Sequence, residues 1–181
     1  MSKNILILTG SPRKNGNTKI LTDAFITGAQ EAGHTVSIFN VAENTVKPCI
    51  ACDKCFTVEN KPCVFNDSFN DLANLLTKND VLVFATPLYW FGFSAQLKSA
   101  IDKFYSLVSR SVIEAKETVL LTVGACTDDK DFEPLVKNYE AIANYLKLEN
   151  KGVIIAKGAY GVGEVNNSTA LSEAKTLGQS L

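Results

Sequence analysis

The chain has 181 residues, of which 46% are hydrophobic and 20% charged, with a formal net charge of −1. Such a length and composition suit a single globular domain, residues 1–181, with a full hydrophobic core. The charge speaks against nucleic-acid binding and against a polybasic membrane surface, and no apolar run approaches a signal-peptide core or a membrane span, so a cytoplasmic protein is expected.

In chain order, residues 5–9 read as a buried strand, built on Ile5-Leu6-Ile7-Leu8. Directly behind it runs Gly10-Ser11-Pro12-Arg13-Lys14-Asn15-Gly16-Asn17-Thr18, a loop of turn formers and hydrogen-bond donors that opens a helix over residues 18–32. The free N–H groups and partial positive charge of a helix start make an anion site. Ser11, Asn17 and Thr18 add side-chain donors, and Arg13 and Lys14 add charge. A phosphate group on a cofactor is the favoured ligand. A nucleotide-hydrolysing loop is disfavoured, because five residues separate Gly10 from Gly16 and Asn17 stands where a lysine is required; the dinucleotide fingerprint Gly-x-Gly-x-x-Gly is absent as well.

Leu21, Ala24, Phe25, Gly28 and Ala29 form the inner face of that first helix, and Gly33 sits at its C-cap. The strand at residues 36–41 carries Ser37 and Asn40, which suit a sheet edge. The connection after it contains Cys49-x2-Cys52-x2-Cys55-x7-Cys63. Three cysteines at two-residue intervals with a fourth farther on can surround one [4Fe–4S] cubane. Zinc fits the spacing less well, since Cys55 and Cys63 are not a close pair. A metal-free segment of packing or redox thiols, or a thiol–disulfide pair, stays open beside the cluster.

Asp67 or Ser68 is placed to cap a helix that ends at Leu76, and residues 81–85 are a continuous apolar strand. The loop Thr86-Pro87-Leu88-Tyr89-Trp90-Phe91-Gly92-Phe93 then packs four aromatics into eight residues. A flat ligand stacks well there, although core or interface aromatics have the same composition. Ser94 caps a helix expected to reach Val108, with Leu97, Ala100, Ile101 and Phe104 inward and Lys98 and Lys103 on its solvent face. A strand at 118–123, a helix at 132–146, a strand at 153–156 and a helix at 168–177 complete the chain. His34 reads as a surface residue at a strand start; Asp128, Asp129, Asp131 and Glu133 read as carboxylates favouring a helix N-terminus rather than as metal ligands.

Alternating strands and helices with apolar strands imply an α/β, flavodoxin-like three-layer sandwich around a five-stranded parallel sheet in the order 2-1-3-4-5. That order opens a crevice between the first and third strands, where the two loops above meet.

The loop at 10–18, the Thr86-Pro-Leu-Tyr-Trp90 stretch, and Leu97-Lys98 with Ile101-Asp102-Lys103-Phe104 together resemble the flavodoxin-like NADPH-dependent FMN reductase family. The likeness runs over most of the chain and is strongest from residue 4 to about 108. By this resemblance, Ser11, Arg13, Asn17 and Thr18 hold the FMN phosphate, while Pro87, Leu88, Tyr89, Trp90 and Gly92 lie along the ring. Gly124-Ala125-Cys126 is a third wall by position, and the loop at 158–163 reaches a neighbouring subunit's flavin. The resemblance implies a homo-oligomeric NAD(P)H oxidoreductase, dimer or tetramer, with no catalytic acid or base. Its electrons pass to a small acceptor: a quinone, a nitro or azo compound, or free flavin. The cysteine motif matches the iron–sulfur flavoprotein branch, which implies an electron-transfer protein working with ferredoxin-like partners, its cluster on Cys49, Cys52, Cys55 and Cys63. A non-enzymatic, flavin-responsive binding protein is the remaining alternative.

Overall fold

The strands of greatest hydrophobicity lie at the centre of the sheet, as burial on both faces demands. In the computed structural model, which describes residues 1–108 and 113–181, β1 (Asn4–Thr9) is flanked by β2 (Thr35–Asn40) and β3 (Val81–Pro87), and beyond β3 come β4 (Glu117–Val123) and β5 (Glu149–Ala156). All pairs are parallel and the order is β2-β1-β3-β4-β5, as expected from the alternation of elements. Ile5 and Ile7 face one layer with Val83 and Leu121; Leu6 and Leu8 face the other with Phe84 and Leu120. This is the two-residue alternation of a strand read out as two separate cores.

One layer is made by α1 (Asn17–Glu31) and α6 (Ala170–Gln179), the other by α2 (Phe69–Leu76), α3 (Ala95–Asp102) and α5 (Glu133–Leu146), with the short α4 (Tyr105–Val108) following α3. Two glycines let α1 and α6 pack backbone to backbone. A Cβ on Gly28 would stand 1.9 Å from the Lys175 carbonyl oxygen, and one on Gly178 would stand 2.4 Å from that of Phe25. Among the described residues no helix is long and apolar enough to cross a membrane.

Three expectations are corrected by the structure. The helix after Ser94 does not run unbroken to Val108: Lys103 and Phe104 donate to the carbonyls of Ala100 and Ile101, three residues back, and the tightened turn separates α3 from α4. The turn lets Lys103 point inward, so it is not on the solvent face; only 3% of it is exposed. His34 is buried too, because its Nδ1 accepts the Lys3 N–H at 3.1 Å where β1 and β2 begin.

The close approach of α1 and α6 gives a direct test. Gly28→Ala forces two backbones apart and is expected to lower unfolding free energy by about 1–3 kcal/mol, measured by urea denaturation. A change within about 0.3 kcal/mol would show that the two helices can slide apart freely.

Candidate functional site

The ladder between β1 and β3 continues one residue past β1, through the Gly10 N–H to the Ala85 carbonyl at 2.9 Å. The loop then leaves the sheet directly over the start of α3. A Cβ on Gly10 would meet both Leu97 Cβ and Ser94 Oγ at 2.5 Å, so only glycine lets the loop lie this close. Ser94 Oγ donates to the Gly10 carbonyl at 2.8 Å and caps α3 by accepting the Leu97 N–H, while its own N–H donates to Thr86 Oγ1 at 3.1 Å. One buried serine thus joins the loop after β1 to the loop after β3.

Gly16 is the N-cap of α1 and supplies no side-chain cap, and the first turn contains no acidic residue. The leading N–H groups of that turn are therefore presented to whatever stands in front of the helix. A cavity of about 210 Å³ opens there. Ser11, Arg13, Gly16, Asn17 and Thr18 form one side and Pro87, Leu88 and Tyr89 the other; Val123, Gly124 and Ala125 close it at the end of β4. No carboxylate, histidine or lysine is among the described residues that line it. Donors at one end and an apolar, aromatic wall at the other suit a ligand with an anionic tail and a flat body.

Seven of the nine residues singled out for this site line the one cavity. Trp90 and Gly92 do not. Tyr89 and Gly92 exchange backbone hydrogen bonds at 3.0 and 3.2 Å across a two-residue turn, with Trp90 and Phe91 at φ of 46° and 61°. That turn asks for glycine or asparagine at both central positions, so two aromatic residues there hold a strained backbone. It displays Trp90, 93% exposed, at the rim.

Of the third wall, Gly124 and Ala125 line the cavity and Cys126 does not. Burial, and then the Asp131 carboxylate, hold the Cys126 thiol above its ordinary range, which disfavours the reactive thiolate. Ala159 and Tyr160, read in sequence as reaching a neighbouring subunit, line this chain's own cavity. Two features could have marked them: the glycines at 158 and 163, both at positive φ, which allow the segment to fold back.

A second, smaller cavity of about 40 Å³ lies below the connection after β2 and is lined by Cys49, Cys52, Cys55 and Cys63 together. None of the four is in a disulfide. Burial, followed by the nearby Asp53, Cys52 and Cys49, raises the Cys55 thiol above its ordinary range. Among the described residues no three His, Cys, Asp or Glu side chains converge to hold one metal ion. A cubane takes one thiolate on each iron, so four thiols spread around one cavity fit its donor chemistry better than that of a single ion.

The wall of this cavity includes Lys103, whose ammonium pairs with Asp67 at 2.6 Å, both side chains at 2% exposure or less. The rings of Phe65 and Phe69 lie 5.0 and 5.3 Å from Lys103 Nζ. Asp67 also accepts the N–H groups of Lys47 and Phe69. Burial alone would raise the Asp67 carboxyl, but Lys103 and these two amides outweigh it and hold it below the usual carboxylate range.

The sequence profile described as NADPH-dependent FMN reductase matches residues 3–129. An iron–sulfur flavoprotein of Methanocaldococcus jannaschii is 25% identical over 182 residues, covering 97% of this chain and 93% of that one. Among solved structures, an NAD(P)H:quinone oxidoreductase from Methanothermobacter marburgensis superposes with a TM-score of 0.77 at 17% identity, over 99% of this chain and 97% of that one. An FMN-dependent NADH-azoreductase from Bacillus anthracis, solved with FMN, gives 0.73 at 14% identity over 98% of each chain. At these identities the two structures establish the shared fold.

The buried pair makes a prediction. Lys103→Met leaves Asp67 charged and unpaired in the interior and is expected to cost about 3–5 kcal/mol near neutral pH. Because the folded Asp67 carboxyl is lowered, the pair's contribution is complete above the unfolded value of about 4 and is lost as pH falls through the folded one. The gap between wild type and variant should therefore narrow in acid. A gap that is constant from pH 7 to pH 3 in urea melts would contradict the assignment.

Proposed function

Because the chain belongs to the NADPH-dependent FMN reductase family, we propose that the 210 Å³ cavity is its FMN site and that the protein is an NAD(P)H oxidoreductase delivering electrons to a small acceptor. The observation that carries this reading is the meeting, in one cavity, of an uncapped helix start flanked by Ser11, Arg13 and Thr18 with the wall formed by Pro87, Leu88 and Tyr89. When bound, FMN supplies hydride acceptance from a reduced nicotinamide and onward transfer to a quinone, a nitro or azo compound, or free flavin.

The first-turn N–H groups of α1 and the hydroxyls of Ser11 and Thr18 donate to the phosphate oxygens, and the Arg13 guanidinium adds charge at the same end. Pro87, Leu88 and Tyr89 lie along the ring. The N–H groups of Leu88, Tyr89 and Gly92 are engaged with the carbonyls of Val123, Gly92 and Tyr89. From Leu88 to Gly92 this leaves the amides of Trp90 and Phe91, in the turn that the Tyr89–Gly92 bridge closes, as fixed dipoles that a ring could meet from the rim. Hydride transfer to a flavin needs no protein acid or base.

A second reading is favoured by the four cysteines that share one cavity, none of them in a disulfide. Here Cys49, Cys52, Cys55 and Cys63 hold a [4Fe–4S] centre, and the acceptor is a ferredoxin-like protein. The likeness to the Methanocaldococcus jannaschii iron–sulfur flavoprotein supports it.

The absorption spectrum of protein purified without air separates the two readings. Two flavin bands alone favour the simple reductase; flavin bands on a broad brown absorbance that Cys52→Ser removes, with iron and acid-labile sulfide present, favour the second. A protein that binds no flavin refutes both. For the phosphate end, Ser11→Ala combined with Thr18→Ala should weaken FMN about tenfold or more, as expected for lost hydrogen bonds to a charged group. Riboflavin, which lacks the phosphate, should be little affected. Equal losses for both flavins would place the phosphate elsewhere.

A further inference from the structure

Asn17 is the first residue of α1 and is 6% exposed at the anion end of the cavity. A carboxamide has two N–H donors and one oxygen with two acceptor positions. In this structure all of them are taken up by the backbone of residues 159–165. Nδ2 donates to the carbonyls of Ala159 and Gly161 at 3.2 and 2.7 Å, and Oδ1 accepts the N–H groups of Gly163 and Val165 at 2.8 and 3.5 Å. The orientation of the amide is unambiguous, because carbonyls face its nitrogen and N–H groups face its oxygen.

The segment it grips is short and laced from within. Glu164 Oε2 accepts the N–H groups of Tyr160 and Gly161, both at 2.8 Å, and the Arg13 guanidinium donates to the Tyr160 carbonyl at 3.2 Å. Glycines at φ of 68° and 88°, positions 158 and 163, bend it back toward α1. Two of its residues, Ala159 and Tyr160, are a wall of the cavity.

We propose that Asn17 is a positioning residue: it fastens the 159–165 segment to the first turn of α1, so that the wall of the cavity stands ready before any ligand arrives, and it does not itself bind the anion. The assignment deepens the reading of the cavity as a flavin site and rests on it for the ligand experiment, whereas the fastening can be measured without ligand. Ordering the wall in advance removes part of the entropic cost that binding would otherwise carry. Ser11 and Thr18 then discriminate FMN from riboflavin; Asn17 serves both alike.

The test uses the full chain freed of flavin. Hydrogen exchange at residues 158–165 should rise about tenfold or more in Asn17→Ala, since several hydrogen bonds are lost together. In Asn17→Asp, which sets a carboxylate oxygen against the carbonyls of Ala159 and Gly161, the rise should be at least as large. FMN and riboflavin should then lose affinity for Asn17→Ala by the same factor. Gly163→Ala strains the gripped segment itself without altering α1, and should weaken both flavins equally as well. Unchanged exchange in Asn17→Ala overturns the proposal, as does a loss confined to FMN, or a segment loosened by Gly163→Ala with both affinities intact. If wild-type protein binds neither flavin, the flavin reading fails, and the exchange measurement alone decides the fastening.

Discussion

Ser94 is the point on which the arrangement turns. It is fully buried, and through one hydroxyl and one amide it touches the loop after β1, the end of β3 and the first turn of α3. A parallel sheet whose order reverses between neighbouring strands leaves a crevice at their carboxyl ends, but topology alone does not bring two loops into register there. Here the register comes from hydrogen bonds in a dry environment, where leaving any of them unmade costs far more than a typical bond contributes. The side of the cavity formed by the loop after β1 and the side formed by the loop after β3 therefore hold one distance from each other.

The parts of this design written in local chemistry were legible from the residues alone. Apolar runs such as Val81 to Ala85 marked the central strands, Ser37 and Asn40 marked an edge strand, and the turn formers and donors clustered behind Ile5-Leu6-Ile7-Leu8 marked a helix start. What stayed hidden depended on partners far away along the chain. Lys103 reads as a surface lysine until Asp67, 36 residues earlier, is folded against it. The hydrogen bond that Asn17 accepts from the Gly163 N–H joins residues 146 positions apart. The wall at Ala159 and Tyr160 was missed for the same reason: small residues carry little pattern of their own.

α3 connects the two cavities. It starts at Ser94, beside the loops of the first, and ends at Asp102 and Lys103, in the wall of the second. Eight helical residues rise about 12 Å, and both ends are anchored by buried polar contacts rather than left to fray. The cysteine connection itself has little regular structure, a single 3₁₀ turn at Lys54–Phe56. Asp67 is one of its attachments to the body of the protein, taking the Lys47 amide from one end of the connection while it pairs with Lys103. Others are the Cys63 N–H donated to Asn70 Oδ1 and the edge-on contact of the Phe56 ring with Tyr105.

The strained turn after β3 has an optical consequence. Trp90 is the chain's sole tryptophan, and the positive φ at Trp90 and Phe91 holds it out at the rim of the cavity, nearly bare to water. Its indole should emit at the long-wavelength limit typical of a hydrated ring. An aromatic chromophore that absorbs in the near ultraviolet or the blue, seated against Tyr89, would drain that emission by energy transfer across a short gap. The protein thus carries a built-in lamp at the mouth of its own site, and its dimming can report the arrival of a coloured ligand without any label being attached.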